Sequence, residues 1–205
     1  MITSARRYDL MLWVGNLARL QPGEQVLDVG CGTKILAVMA KKRGGETGRV
    51  RGIDPSVPMI ARARRRAARR GTAIDFPPAV IERLPYPEQT FDVVLSTFML
   101  HQIPDDVKRQ GLAELARVLK PGGRLLVVAT RRPAEHTAAG HDADARAGHP
   151  VHPVHGGSWN SGVQDQPALL RAAGCSDIET GDLPGTNTLL PEGGFAIGPS
   201  ENVRA

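Results

Sequence analysis

The chain has 205 residues, of which 41% are hydrophobic and 23% are charged, a composition that excludes both a disordered segment and a membrane protein. No apolar run approaches the ~20 residues that cross a bilayer, and the first 20 residues lack the pattern of a signal peptide, so we expect a cytoplasmic protein. The length predicts one domain over residues 1–205, and the two cysteines imply no disulfide framework.

Short apolar strands alternate with helical patterns along most of the chain. The predicted strands cover 26–29, 49–53, 73–76, 91–96, 124–129, 177–180 and 195–198, and the predicted helices cover 35–43, 56–70, 105–119 and 165–173. This alternation predicts an α/β fold with a doubly wound, mostly parallel, seven-stranded sheet and helices on both faces. We expect the last two strands to form an antiparallel edge pair.

A long loop is predicted over 131–162, where Ala, Gly, His, Pro and Asp follow no clear period. Loops of this length inside a domain are usually functional or disordered. Five of the six histidines lie in this region, namely His136, His141, His149, His152 and His155. Histidines can bind a metal, but no cysteine set or helix accompanies them, so we predict a substrate loop and no metal site.

A basic run falls in the helix predicted over 56–70, with arginines at 62, 64, 65, 66, 69 and 70 and alanines between them. Basic runs can bind nucleic acid through its phosphates. No aromatic side chains are interleaved for stacking on bases, so the pattern favours a solvated helix face. We therefore do not expect a nucleic-acid partner.

The pattern Asp28-x-Gly30-x-Gly32 stands between a predicted strand and a predicted helix. Glycines let the backbone approach a ligand closely, and a helix N-terminus presents free N–H groups. The dinucleotide fingerprint G-x-G-x-x-G is excluded because position 35 is Ile35. The phosphate-binding P-loop is excluded as well, because Lys34 follows Thr33 instead of preceding it.

The segment Asp28 to Thr33 resembles the first motif of the class I methyltransferases, which depend on S-adenosylmethionine. Three later segments resemble further motifs of that family in the same order, namely Gly52 to Met59, Leu84 to Val94 and Arg117 to Leu125. The resemblance covers about residues 21–130 and is strongest to the small-molecule methyltransferases of ubiquinone and menaquinone synthesis. It implies a Rossmann-like fold and transfer of a methyl group to a small molecule by in-line displacement. The acceptor and the oligomeric state stay open.

By this resemblance, the residues predicted to bind the cofactor are Asp28, Gly30, Cys31, Gly32, Asp54, Pro55, Val80, Ile81 and Ser96. Asp54 would accept both ribose hydroxyls, and the alternative is that it only forms a turn before Pro55. Asp28 would orient the methionyl amine, and the alternative is that it accepts hydrogen bonds from the loop. Ser96 would lie near the methionyl portion, and Cys31 offers the small side chain that the loop needs.

The acceptor side is predicted at His101 and at a lid helix formed by residues 1–20, which carries Tyr8. An imidazole titrates near neutrality, so His101 could position the acceptor or take its proton as a catalytic residue. A packed surface histidine is an equally good interpretation of His101. Core packing likewise explains Tyr8.

Two positions depart from the family pattern. Lys34 stands where a third loop glycine is expected, and Val80 stands where an acid would meet the adenine amino group. Loss of that acid removes one hydrogen bond, worth about 1 kcal/mol, although the backbone N–H of Ile81 could still contact the ring. The Lys34 side chain could point out from the first helical turn without effect, or pair with the carboxylate of the cofactor. If it blocks the loop instead, the chain would be a degenerate methyltransferase fold that acts as a binding protein.

Overall fold

The computed structural model describes residues 4–32, 36–130, 165–182 and 193–199, with the backbone alone at 4–8, 130 and 193–199. The helices are α1 (Ser4–Leu17), α2 (Leu36–Gly44), α3 (Val57–Ala68), α4 (Asp105–Val118) and α5 (Gln166–Ala172). The strands are β1 (Gln25–Val29), β2 (Arg49–Ile53), β3 (Phe91–Thr97), β4 (Leu119–Thr130), β5 (Glu179–Asp182) and β6 (Gly193–Pro199). A 3₁₀ turn spans Leu100–Gln102.

The described strands form one sheet in the order β2-β1-β3-β4-β6-β5. The first four run parallel, and β6 is antiparallel to both β4 and β5. The α/β, Rossmann-like and mostly parallel architecture is thereby confirmed, together with the antiparallel pair at one edge. The prediction of seven strands is wrong for the described part of the chain, where the sheet has six.

The strand predicted over 73–76 is the one that the described residues do not form. This segment touches β2 only through isolated bridges from Arg51 to Asp75 and from Asp54 to Pro78. The physical reason is Pro77 and Pro78, because proline has no N–H to donate to a ladder of hydrogen bonds. The segment therefore lies along β2 without extending the sheet.

Strand β4 starts earlier than the sequence indicates, at Leu119 instead of Arg124. Leu119 pairs with Phe91, and the pairing resumes with Arg124 opposite Val93, so an irregularity separates the two registers. Gly122 adopts a φ of 72° inside it. Pro121, Gly122 and Gly123 lie between the two registers and bend the first part of the strand.

The apolar core consists of two clusters, one on each face of the sheet. Along β3, Val93 and Leu95 belong to the cluster that includes α1, α2 and α3, whereas Val94 belongs to the cluster that includes α4 and α5. Both clusters contain side chains that are fully buried. Side chains that alternate between two covered faces explain why β3 reads as a continuous apolar run.

Helix α1 packs against α2. Val14 and Ala18 are fully buried in the same cluster as Leu36. The guanidinium of Arg43 on α2 donates a hydrogen bond to the side-chain carbonyl of Asn16. These contacts fix the C-terminal half of the helix, and its role as a lid stays a prediction.

Folding lowers the pKa values of two carboxyl groups, those of Asp92 and Glu114. Burial alone would raise the pKa of Asp92, but hydrogen bonds from Lys120 and from the Gln25 N–H outweigh it and hold the pKa below its ordinary value. The hydrogen bond from Arg117 is the main reason that the pKa of Glu114 is lowered. A carboxyl group whose pKa is lowered by folding stabilises the fold above its unfolded-state pKa and loses that contribution as the pH falls.

We therefore expect the free energy of unfolding to fall as the pH drops below about 5 and through the lowered pKa values of these two carboxylates. Urea denaturation at pH 7 and at pH 3.5 measures the loss. The variant Asp92→Asn should be less stable than the parent at pH 7 and should lose less on acidification. An equal loss in parent and variant would contradict the assignment to Asp92.

Candidate functional site

The strand order places a crevice between β1 and β3. From β1 the chain crosses through α2 to β2 on one side, whereas β3 and β4 lie on the other side. In open α/β sheets, ligands bind outside the carboxyl ends of the strands where the order reverses. Here those ends are Val29 and Thr97. The predicted glycine loop follows Val29 directly and therefore forms one wall of the crevice.

Both glycines of the loop have backbone conformations that side chains disfavour, with φ values of 66° at Gly30 and 49° at Gly32. A Cβ atom on Gly30 would lie 2.5 Å from Cγ of Met99. Between them, the N–H of Cys31 donates to the carbonyl of Ile53 at 2.9 Å, and the Cys31 side chain is buried. The loop is thus attached to the end of β2 and covered by Met99.

Asp54, at the end of β2, holds the loop through its carboxylate. One oxygen accepts the N–H of Gly32 at 2.9 Å, and the other accepts the N–H of Ser56 at 2.9 Å. The contact with Ser56 is the turn geometry expected of an aspartate before proline, and Pro55 is exposed. A carboxylate has about four acceptor positions, so Asp54 retains the capacity to bind hydroxyl groups in the crevice.

Two polar side chains are fully buried at the floor of the crevice. Asp28 on β1 stands in register between Gly52 and Leu95, and it has no exposed surface. Ser96 on β3 is equally buried, and its hydroxyl has no hydrogen-bond partner among the described residues. Asp28 and Ser96 thus place polar atoms near the carboxyl ends of the two central strands, where ligands of open α/β sheets bind.

The segment after β3 folds back over the loop in a strained conformation. Phe98 has a φ of 55°, and its N–H donates to the carbonyl of Val128 at 2.7 Å. The side-chain amide of Gln102 donates to the carbonyl of Phe98 at 3.2 Å. This turn carries Met99 onto Gly30. A bulky residue held at positive φ is the kind of strain that accumulates at functional sites.

His101 lies in the 3₁₀ turn that follows and is 8% exposed. Its Nε2 atom is 3.5 Å from the side-chain amide nitrogen of Gln102. The structure therefore places His101 on the β3 side of the crevice, in the segment that covers the glycine loop. Its near-complete burial also fits the interpretation as a packed histidine.

The opposite wall is the segment that contains Val80 and Ile81. The N–H of Ala79 donates to the carbonyl of Asp54 at 3.3 Å, so this segment starts at the same point as the end of β2. Val80 is half-buried, whereas Ile81 is buried and its side chain lies against Gly111 of α4. The side chain of Ile81 thus belongs to the core, and only its backbone is a candidate for ligand contact.

The turn that follows is anchored to α4. Glu114 accepts the N–H of Leu84 at 2.8 Å, and Arg117 donates to the carbonyl of Tyr86 at 3.0 Å while pairing with Glu114. Burial raises the pKa of the Tyr86 hydroxyl to about 12. The Leu-Pro-Tyr motif is therefore a structural clamp that supports the wall of the crevice.

Met99 and Phe98 are site residues that the sequence analysis missed. No local pattern distinguishes them from ordinary apolar residues at the end of a strand, because their importance arises from a contact with a loop about 70 residues earlier in the chain. Among the residues expected to meet a ligand, Tyr8 has no described side chain. Lys34 and the clustered histidines lie outside the described residues.

Within the described ranges, no group of three metal-ligating side chains occurs. The same residues contain no helix that is long and apolar enough to span a bilayer.

A family model described as a methyltransferase domain matches residues 26–123. The ubiquinone/menaquinone biosynthesis C-methyltransferase UbiE of Laribacter hongkongensis is 39% identical over 137 residues, which are 60% of this chain and 55% of that protein. The demethylmenaquinone methyltransferase of Halalkalibacterium halodurans is 34% identical over 150 residues, covering 62% of this chain and 57% of that protein. The chain thus spans little more than half the length of these relatives.

A likeness to solved structures extends over nearly the whole chain. The [4+2]-cyclase SpnF superposes with a TM-score of 0.71 at 21% identity, covering 94% of this chain and 80% of that one. Identity at this level shows a common fold only. A protein named as a cyclase shares that fold, so the reaction has to be argued from the site.

Proposed function

We propose that this chain, in which residues 26–123 form a methyltransferase domain of the class I type, transfers a methyl group from S-adenosylmethionine to a small-molecule acceptor. The observation that carries the proposal is the contact of Asp54, whose carboxylate accepts the N–H groups of Gly32 and Ser56 and, with about four acceptor positions, retains capacity for further hydrogen bonds. Sequence relatives named as C-methyltransferases support the reaction class.

The residues present fit such a cofactor. Asp54 would accept the ribose hydroxyls, and buried Asp28 would favour the cationic methionyl amine, with the Ser96 hydroxyl as an acceptor or donor beside it. Gly32 leaves the backbone bare for close approach, whereas the missing side chain of Gly30 makes room for Met99. On the adenine side, Val80 supplies apolar contact and the Ile81 backbone supplies the N–H. No comparison favours the degenerate, non-catalytic alternative.

The cofactor, held by the residues around Asp54 and Asp28, would supply an electrophilic methyl group on a sulfonium together with a neutral thioether leaving group. The chain has to hold acceptor and methyl group in line, and alignment of this kind can lower a barrier by about 7–11 kcal/mol. By the family resemblance, the strained turn from Phe98 to His101 would border the acceptor. Closure of the crevice on the side of this turn would exclude water from the reacting groups.

The experiment that tests the proposal uses the purified chain with S-adenosylmethionine and S-adenosylhomocysteine in a thermal-shift assay and in calorimetry. A ligand that binds only the native state raises apparent stability by RT ln(1 + [L]/Kd). A demethylated quinol is the first acceptor to try, because the relatives are named for quinone methylation. Formation of the methylated quinol by mass spectrometry supports the proposal. Absence of any shift at millimolar cofactor would contradict it.

His101→Ala should lower kcat about 10²–10⁴-fold if this imidazole takes the acceptor's proton, and it should leave the Kd of the cofactor within about twofold. The matched control is Asp106→Ala, which changes an exposed side chain in the first turn of α4, shortly after His101. The measurement is kcat across pH 5.5–8.5 together with calorimetry. An unchanged kcat would assign His101 to packing.

The remaining predictions belong to this proposal. They are one domain, a lid over residues 1–20 with Tyr8 toward the acceptor, a substrate loop over 131–162, a cytoplasmic location and no nucleic-acid substrate. Limited proteolysis with and without S-adenosylhomocysteine tests the lid and the loop, because ligand closure should slow cleavage there.

A further inference from the structure

The segment 73–79 lies along β2 without joining the sheet as a strand. Among the described residues, two backbone hydrogen bonds join it to β2 and to the residue after β2. They run from the N–H of Gly52 to the carbonyl of Asp75 at 2.9 Å, and from the N–H of Ala79 to the carbonyl of Asp54 at 3.3 Å. A strand in a regular ladder has such bonds along its whole length. Side-chain contacts therefore have a larger part in holding this segment than they have in a strand.

Arg64 on α3 supplies one such contact from outside the sheet. Its guanidinium donates to the carbonyl of Phe76 at 2.7 Å. An arginine is charged at every pH at which proteins fold, so this is a charge-assisted hydrogen bond. Phe76 stands directly before the two prolines of the segment, which have no N–H to donate. The contact thus fixes the backbone at the point where the ladder is interrupted.

The ring of Phe76 connects this segment to the glycine loop. The side chain is buried, and it fills the space that Gly52 leaves on β2, because a Cβ on Gly52 would lie 2.6 Å from the ring. The same Cβ position is 3.2 Å from the sulfur of Cys31 in the glycine loop. A shift of Phe76 would therefore disturb both walls of the crevice, the segment that carries it and the loop beside it.

The helix that carries Arg64 is itself held by the core. Arg64 lies four residues after Ile60 and three before Ala67, and both of these side chains are buried. This spacing places Arg64 beside the packed side of α3. The next residue, Arg65, is exposed, and its side chain forms no hydrogen bond or ion pair with a described residue. Arg64 therefore differs from its neighbour in having a defined backbone partner.

We propose that Arg64 is a positioning residue for the cofactor, which it affects by holding the Phe76 carbonyl and with it the wall that ends in Val80 and Ile81. The inference rests on the proposed function, which assigns this wall to the adenine. Val80 has no carboxylate for the adenine amino group, so recognition of the base depends on the backbone N–H of Ile81. A backbone donor can serve only if the segment that carries it is fixed.

Calorimetry with S-adenosylhomocysteine measures the contribution of Arg64. Arg64→Met keeps a long side chain and removes the donors, so it should bind about three- to tenfold more weakly, the effect of losing one hydrogen bond. Arg64→Lys keeps a charged donor and should have an intermediate affinity. The matched control is Arg65→Met, which removes the same charge from the next residue of α3 and should bind as the parent does.

A ligand with a changed base distinguishes positioning from a general loss of structure. S-inosylhomocysteine carries hypoxanthine, whose N1 atom bears a hydrogen where the N1 atom of adenine accepts one. An N–H donor such as that of Ile81 can pair with adenine N1 and not with hypoxanthine N1. The parent should therefore prefer the adenine ligand, and Arg64→Met should lose part of that preference. A general loss of structure would weaken both ligands equally and leave their ratio unchanged.

Amide hydrogen exchange of the chain without ligand gives a second readout. Arg64→Met should exchange faster than the parent over 73–81 and at the parent's rate in β3, which excludes global unfolding. The proposal is overturned if exchange over 73–81 is unchanged, if Arg64→Met keeps the parent's affinity, if Arg65→Met loses as much, or if both ligands weaken equally. If the parent itself binds neither ligand, the proposed function fails, and the exchange experiment still decides whether Arg64 holds the segment.

Discussion

Asp54→Ala should weaken binding of S-adenosylmethionine and S-adenosylhomocysteine by at least about a hundredfold in calorimetry. The variant loses two hydrogen bonds from a charged acceptor to ribose, each worth about 1.5–3 kcal/mol, and a tenfold change in affinity corresponds to 1.4 kcal/mol. It also leaves the N–H groups of Gly32 and Ser56 without their present acceptor, so the loop itself should become less ordered.

Two further variants distinguish a loss of the ribose contacts from a general loss of structure. Asp54→Asn keeps one carbonyl acceptor for the loop and should bind the cofactor with intermediate affinity. Asp75→Ala removes an exposed carboxylate from the segment that bridges to β2, and it should bind as the parent does. If Asp54→Ala bound the cofactor as tightly as the parent, the assignment of Asp54 to the ribose would be wrong.

Gly30→Ala should abolish measurable cofactor binding and destabilise the fold. Its Cβ would lie 2.5 Å from Cγ and 2.8 Å from Cβ of Met99, so the turn after β3 has to move. The φ of 66° adds the cost of the left-handed region, about 1–2 kcal/mol for a residue with a side chain. Overpacking of this kind adds typically about 1–3 kcal/mol.

Gly45→Ala is the matched control, because Gly45 has a φ of 68° and nothing within 4 Å of an added Cβ. Its free energy of unfolding in urea should fall only by the cost of the left-handed backbone conformation. It should bind the cofactor as tightly as the parent does. Met99→Gly combined with Gly30→Ala should recover the steric part of the lost stability, whereas Met99→Ala should recover only part of it, because its Cβ still lies 2.8 Å from the new Cβ. If Gly30→Ala had the same free energy of unfolding as Gly45→Ala, the Met99 side chain would move aside without a cost in stability, and the predicted clash would be wrong.

Local patterns were enough for most of the sheet. Short apolar segments between helical patterns predict β1, β2 and β3 to within a residue or two, and β3 is the clearest because a strand covered on both faces is almost entirely apolar. They failed at 73–76, where the apolar character is right but Pro77 and Pro78 prevent a ladder. Local patterns also misplaced the start of β4, because this strand begins in one register with β3 and resumes in another.

The sequence by itself determined the order of helices and strands, the glycine loop after β1 and the acid after β2. These features are local, since spacing and residue type decide them. Only the tertiary structure decided that the Asp54 carboxylate holds Gly32, that Met99 covers Gly30 and that Leu84 is clamped by Glu114. Each of these contacts joins residues 20 to 70 positions apart, and no local pattern encodes which distant side chain meets the loop. The Asp28 to Gly32 motif therefore predicts where a ligand binds, and the packing around it decides how tightly the site is held.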